Sequence, residues 1–119
     1  MKALIDTNML LVPHQFGVDV FEFLRDYELF TLSSCRAELR KLSHKRGDDG
    51  KAAKIGLMLL KENKIPVVRV KEQGDKAILN YAIQERCSVA TNDIALIKAL
   101  KNSNIKIIRL KQKKYLEEY

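Results

Sequence analysis

At 119 residues and 13.7 kDa, with 46% hydrophobic and 31% charged residues, the chain has the size and composition of one soluble globular domain. No apolar run approaches the ~20 residues that span a membrane, and a charge as early as Asp6 does not suit a secretory leader, which excludes membrane and secreted classes and predicts a cytoplasmic protein. The excess of 22 Lys+Arg over 15 Asp+Glu, a net charge of +7, favours a polyanionic partner.

In chain order, Lys2 to Asp6 reads as a short buried strand, and Thr7-Asn8 turns into a helix or loop punctuated by Pro13 and Gly17. Between Val18 and Tyr27 the apolar residues Val20, Phe21, Phe23, Leu24 and Tyr27 recur at near-helical spacing. Leu29 to Leu32 reads as a second strand. Ser33-Ser34 then offers a hydroxyl N-cap for a helix starting near Cys35 and carrying Glu38, Leu39 and Leu42.

Gly47-Asp48-Asp49-Gly50 is the clearest break, so residues 43–50 are expected to form an exposed loop before a helix from Lys51 to Asn63. Ile65 to Val70 reads as a third strand whose Pro66 suits an edge or a strand start. Gly74-Asp75 opens another helix, with Ala77, Ile78, Tyr81, Ala82 and Ile83 as its buried stripe. Cys87 to Thr91 is a fourth strand, followed by Asn92-Asp93 and a helix to about Lys101. Ile105 to Leu110 alternates as a fifth strand, and residues 111–119 read as a charged tail. Strands alternating with helices predict a parallel α/β sheet in a single domain spanning 1–119. Cys35 and Cys87 lack metal-ligand spacing and read as buried free thiols.

Four acids stand where a strand gives way to a loop or to the first turns of a helix: Asp6, Glu38, Asp75 and Asp93. In an α/β sheet the C-terminal strand ends share one edge, where ligands bind. Carboxylates gathered there repel, since two unit charges ~4 Å apart interact at about 4 kcal/mol at an effective dielectric of 20. Either some of them stay protonated or a hard divalent cation, Mg²⁺ or Mn²⁺, neutralises them; such an ion lowers the pKa of bound water, polarises a phosphoryl oxygen and steadies a leaving group. Each acid also has a plainer reading. Asp6 suits a turn, Glu38 the positive end of a helix, and Asp75 and Asp93 an N-cap. Asp48 and Asp49 read as solvated turn residues. His14 and His44 are the only histidines and form no nucleophilic triad, and no Gly-rich phosphate loop is present.

Leu4-Ile5-Asp6-Thr7-Asn8, Glu38-Leu39, Gly74-Asp75 with Ala77-Ile78-Leu79, and Ala90-Thr91-Asn92-Asp93, in that order, resemble the PIN-domain nucleases over nearly the whole chain. The resemblance implies a Rossmann-like α/β fold with a parallel sheet of about five strands in the order 3-2-1-4-5, flanked by helices. It also implies an endoribonuclease that uses one or two Mg²⁺ or Mn²⁺ ions held by Asp6, Glu38, Asp75 and Asp93, with Asn8 and Thr91 as supporting polar groups. The compact middle and the Lys-rich ending resemble the archaeal branch related to nucleases that process small-subunit ribosomal RNA. That implies single-stranded or structured precursor rRNA as partner, with pairing of two copies as a further expectation. The alternatives are a toxin ribonuclease of a toxin–antitoxin pair and a catalytically silent RNA-binding assembly factor. Arg36, Arg40, Lys41, His44, Lys45 and Arg46 in the middle, and Lys111, Lys113 and Lys114 near the end, are the candidate RNA contacts.

Overall fold

The first strand, β1 (Lys2–Ile5), buries both of its faces: Ala3 and Ile5 enter one apolar layer and Leu4 the other. Such a strand needs helices above and below it, and the rest of the chain supplies them. This computed structural model describes residues 1–118. After β1 come α1 (Thr7–Phe16), α2 (Val20–Phe23), β2 (Glu28–Leu32), α3 (Ser33–Ser43), α4 (Asp48–Glu62) and β3 (Val67–Val68). They are followed by α5 (Gly74–Glu85), β4 (Ser88–Ala90), α6 (Ile94–Asn102), β5 (Ile107–Lys111) and β6 (Tyr115–Glu118).

The sheet runs β3-β2-β1-β4-β5-β6. Its first five strands are parallel and in the expected order, with Ala3 opposite both Leu29 and Ser88, and Ala90 opposite Ile108. One apolar layer joins Ile5, Ala90 and Ile108 to Met9, Leu10 and Val12 of α1, Val20 and Phe21 of α2, and Ala53 and Leu60 of α4. The other joins Leu4, Val89 and Ile107 to Ala77, Ile78 and Ala82 of α5 and Leu96, Ile97 and Leu100 of α6. Helix α3 straddles the two, giving Leu39 to the first layer and Cys35 to the second. Helix α4 crosses so close to α1 that a Cβ on Gly56 would stand 2.6 Å from the Leu10 carbonyl oxygen, an approach only glycine permits. Both cysteines are buried free thiols. Among the described residues no helix is long and apolar enough to cross a membrane.

Several boundaries differ from the expectation, each for a local reason. The expected tail at 111–119 is instead the end of β5, a tight turn and β6, which pairs antiparallel with β5 through Leu110 opposite Leu116 and Lys111 opposite Tyr115. An ion pair between Lys106 Nζ and Glu118 at 3.2 Å helps to close that ribbon; Tyr119 lies outside the described residues. The expected loop at 43–50 shortens because α4 starts at Asp48, where two acids suit the positive helix end. Gly50 is buried within that first turn, where a Cβ would strike the Lys45 carbonyl. Strand β3 keeps two of the six expected residues: Pro66 has no N–H to give, and Ser33 Oγ takes the Val70 N–H at 3.0 Å. That bond also diverts Ser33 from capping α3, whose N-cap is Leu32 without a side-chain bond.

Candidate functional site

Strands β1 and β4 are neighbours, but the chain leaves β1 towards β2 and β4 towards β5, which opens a crevice at their C-terminal ends. Asp6 is the first residue beyond β1 and the N-cap of α1, with Oδ1 accepting from the Thr7 N–H at 2.6 Å. Asp93 is the N-cap of α6, with Oδ1 accepting from the Leu96 N–H at 3.0 Å. Asp75 lies in the first turn of α5, just past Gly74, whose φ of 64° turns the chain into the helix. Glu38 lies in the second turn of α3. All four line a single solvent-open cleft, together with Thr7, Asn8, Ser34, Cys35, Gly74 and Ile78. Capping and cleft-lining therefore coincide for Asp6 and Asp93, because one capping bond uses only one of a carboxylate's roughly four lone-pair sites. Asp75 caps nothing: the N-cap of α5 is Gln73.

Thr91 ties the first acid to the fourth. Its hydroxyl donates to Asp6 Oδ2 at 2.7 Å and accepts the Asp93 backbone N–H at 3.2 Å. Asn8 Oδ1 accepts the Asn92 N–H at 3.1 Å, and Asn92 Oδ1 accepts the Leu110 N–H at 2.8 Å. The loop after β4 is thereby fastened to α1 on one side and to β5 on the other. Both supporting polar positions expected from the sequence, Asn8 and Thr91, thus hold the acid loop. Asn92, not singled out from the sequence, holds it as firmly; its bond spans 18 residues, and no local pattern announces it.

The electrostatics link the acids. Burial pushes Asp6 up from 3.8 to about 6, against the pull of its bonds to Thr91 and Thr7 and with added repulsion from Asp75 and Glu38. Asp75 is raised by burial and then by Asp93. Burial, and then Asp6, raises the Cys35 thiol, which argues against a thiolate nucleophile in this cleft.

The donor set suits a hard divalent cation: carboxylate oxygens that repel one another, and a buried Ser34 Oγ that has no hydrogen-bond partner among the described residues. Among the described residues, no three acid, histidine or cysteine side chains form a cluster that could hold a metal ion on its own. Mg²⁺ and Mn²⁺ fit such a spread arrangement because Mg²⁺ in particular keeps several waters and takes only one or two carboxylates directly.

The basic candidates divide. On α3, Arg36 and Arg40 lie roughly 160° around the helix from Glu38, at 100° per residue. They line a separate groove with Leu57, Leu60, Lys61, Ile65 and Val67. Lys41 lies about 60° from Glu38 around the helix and is exposed. His44 is the C-cap of α3, and Lys45 and Arg46 are exposed in the turn before α4. Lys111 ends β5, and Lys113 and Lys114 sit in the turn beyond it. Since β5 runs parallel to β1 and β4, that turn projects from the same sheet edge as the acids.

A family model described as a PIN like domain matches residues 3–113. The chain is 36% identical over 126 aligned positions to Ribonuclease VapC4 of Methanocaldococcus jannaschii, covering 98% of this chain and 95% of that protein. It is 31% identical over 116 positions to Ribonuclease VapC9 of Archaeoglobus fulgidus, covering 94% and 84%.

Proposed function

The chain belongs to the PIN-like domain family, and on that premise we propose that it is an endoribonuclease that hydrolyses RNA phosphodiester bonds with one or two Mg²⁺ or Mn²⁺ ions. The observation that carries this reading is the cleft lined by Asp6, Glu38, Asp75 and Asp93, four acids distant in sequence. Ribonuclease names on relatives aligned over almost the whole chain support it.

In this reading Asp6 and Asp93 hold the cation directly, Asp75 completes the set or orients a water, and Glu38 acts through water or a second ion. The bound ion would lower the pKa of water and stabilise charge developing on the phosphoryl group. The chain's own contribution is to keep these carboxylates in place and ionised. Thr91 donates to Asp6 and so favours its charged form. The capping bonds from Thr7 and Leu96 fix the side chains of Asp6 and Asp93. Lys41, about 60° around α3 from Glu38, and Lys111, Lys113 and Lys114 along the same sheet edge supply charge for the RNA backbone. Arg36 and Arg40 face another groove and are set apart from this role.

Of the biological settings expected from the sequence, the relatives favour the toxin ribonuclease of a toxin–antitoxin pair over ribosomal RNA processing, since both carry VapC ribonuclease names. The partners would then be cellular RNA and a protein antitoxin. The direct test incubates the purified protein with labelled single-stranded and stem-loop RNA in Mn²⁺, Mg²⁺ or chelator, beside Asp93→Asn. Cleavage that requires metal and disappears in the variant is expected; cleavage that persists in the variant would remove the assignment. Growth arrest on expression, relieved by the product of a neighbouring gene, would select the toxin setting, whereas accumulation of uncleaved precursor rRNA on depletion would select the ribosomal one.

A further inference from the structure

The turn between β5 and β6 adopts a backbone that its residues disfavour. Gln112 and Lys113 both have left-handed φ, 52° and 57°, and the Lys114 N–H closes the turn on the Lys111 carbonyl at 3.0 Å. Positive φ at both central residues is the requirement of a type I′ hairpin, which selects Asn-Gly or Gly-Gly. Here the turn reads Lys111-Gln112-Lys113-Lys114. Non-glycine residues persist in such conformations where their surroundings hold them, and such strain clusters at ligand clamps. Lys113 is held in part by its Nζ lying 5.7 Å from the centroid of the Phe16 ring.

The turn is also set relative to the acids. Ala90 pairs with Ile108, so Leu110 lies level with Asn92 and the turn overhangs the sheet edge by roughly 3.3 Å for each further residue. Asn92 Oδ1 accepts the Leu110 N–H, the last part of β5 before the overhang, while the Asn92 backbone is held by Asn8, two residues after Asp6. One side chain thus joins the loop carrying Asp93 to the base of the cationic turn.

Resting on the ribonuclease reading above, we infer that the β5–β6 turn is a phosphate-binding arm for a single-stranded RNA backbone running past the cleft, with Lys113 and Lys114 as its contacts and Asn92 as the positioning residue that sets the arm against the acids. Backbone charge is what ammonium groups on a projecting turn recognise, and these groups carry no base preference.

The test uses full-length protein in the Asp93→Asn background with Mg²⁺, and follows binding of a labelled single-stranded oligoribonucleotide across a salt series. Loss of two phosphate contacts in Lys113→Gln/Lys114→Gln is expected to weaken binding about tenfold or more at low salt and to flatten the log–log salt slope by roughly 1.4, at about 0.7 per contact on a single strand. Asn92→Ala is expected to flatten the slope as well, and Asn92→Asp, which keeps an acceptor for the Leu110 N–H, to restore it. A merely structural role for Asn92 would change stability and leave the slope alone. An unchanged slope in the lysine variant overturns the arm, and flattening in that variant but not in Asn92→Ala overturns the positioning role. Either result leaves the ribonuclease reading standing provided that Asp93→Asn is itself cleavage-dead; persistent cleavage by Asp93→Asn overturns that reading instead.

Discussion

The hydroxyl of Thr91 lies 2.7 Å from Asp6 Oδ2, across 85 residues of sequence. The bond crosses from the end of β4 to the end of β1 and favours the ionised form of a carboxylate that burial pushes the other way. Thr91→Val removes the donor and should raise the Asp6 pKa above about 6. The acidic limb of kcat/KM against pH is then expected to move to higher pH, measured at fixed Mn²⁺, and to move back down as Mn²⁺ is raised and competes with the proton. A limb that stays in place in Thr91→Val would detach Asp6 from catalysis.

Asp6 also makes stability depend on pH. Its folded pKa, about 6, lies above its ordinary 3.8, so between these values the folded state binds more protons than the unfolded chain. Its contribution is therefore fully present below pH 3.8 and lost as pH rises through about 6. Roughly two pK units correspond to an effect on the order of 3 kcal/mol. Asp6→Asn, uncharged throughout, should match the wild type near pH 3.5 and exceed it by an amount of that order at pH 7.5, by denaturant unfolding in chelator. Mn²⁺ should then raise the melting temperature of the wild type and not of the variant. A stability difference that does not change with pH would contradict the buried acid.

Asn caps helices about as well as Asp, whereas Ala does not. At Asp93, the N-cap of α6, the two substitutions should therefore separate chemistry from folding. Asp93→Asn is expected to lose RNA cleavage at near-native stability. Asp93→Ala should lose cleavage and also about 1 kcal/mol of stability. Equal stabilities in thermal and denaturant unfolding would show that the bond to the Leu96 N–H does not matter.

Gly56→Ala tests how the α1 platform is seated. A Cβ there meets the Leu10 backbone oxygen at 2.6 Å, so α4 must shift away from α1. Overpacking of this kind costs about 1–3 kcal/mol. The variant is expected to be less stable by that amount and, because α1 begins at Asp6, to bind Mn²⁺ more weakly as well. Ala at the neighbouring exposed position, Lys54→Ala, serves as the comparison and should alter neither.

The parts of this fold that were legible in the sequence are those in which one local signal dominates. Buried strands with alternating faces, such as Ala3-Leu4-Ile5, marked the sheet, and acids at strand ends or in the first turns of the following helices pointed to its C-terminal edge. Elements set by distant partners were not legible. The β5–β6 ribbon was hidden because its turn contains neither Asn nor Gly, and its apolar signal is the single pair Leu110–Leu116. The start of α4 was hidden because Gly47-Asp48-Asp49-Gly50 spells a loop, although Gly50 is the residue that must fit beneath the Lys45 carbonyl. That Arg36 and Arg40 stand on another side of α3 from Glu38 follows from helical angle, a direction that counting charges does not give.

The two margins of the sheet are unlike, and neither welcomes another strand. One is β3, two residues long behind Pro66. The other is β6, where Glu117 and Glu118 are both exposed and point to opposite faces of the strand, Glu118 paired with Lys106. Short, proline-flanked or charged borders are how sheet proteins avoid polymerising through their backbones. This protein is therefore expected not to associate strand to strand through its sheet edges when concentrated.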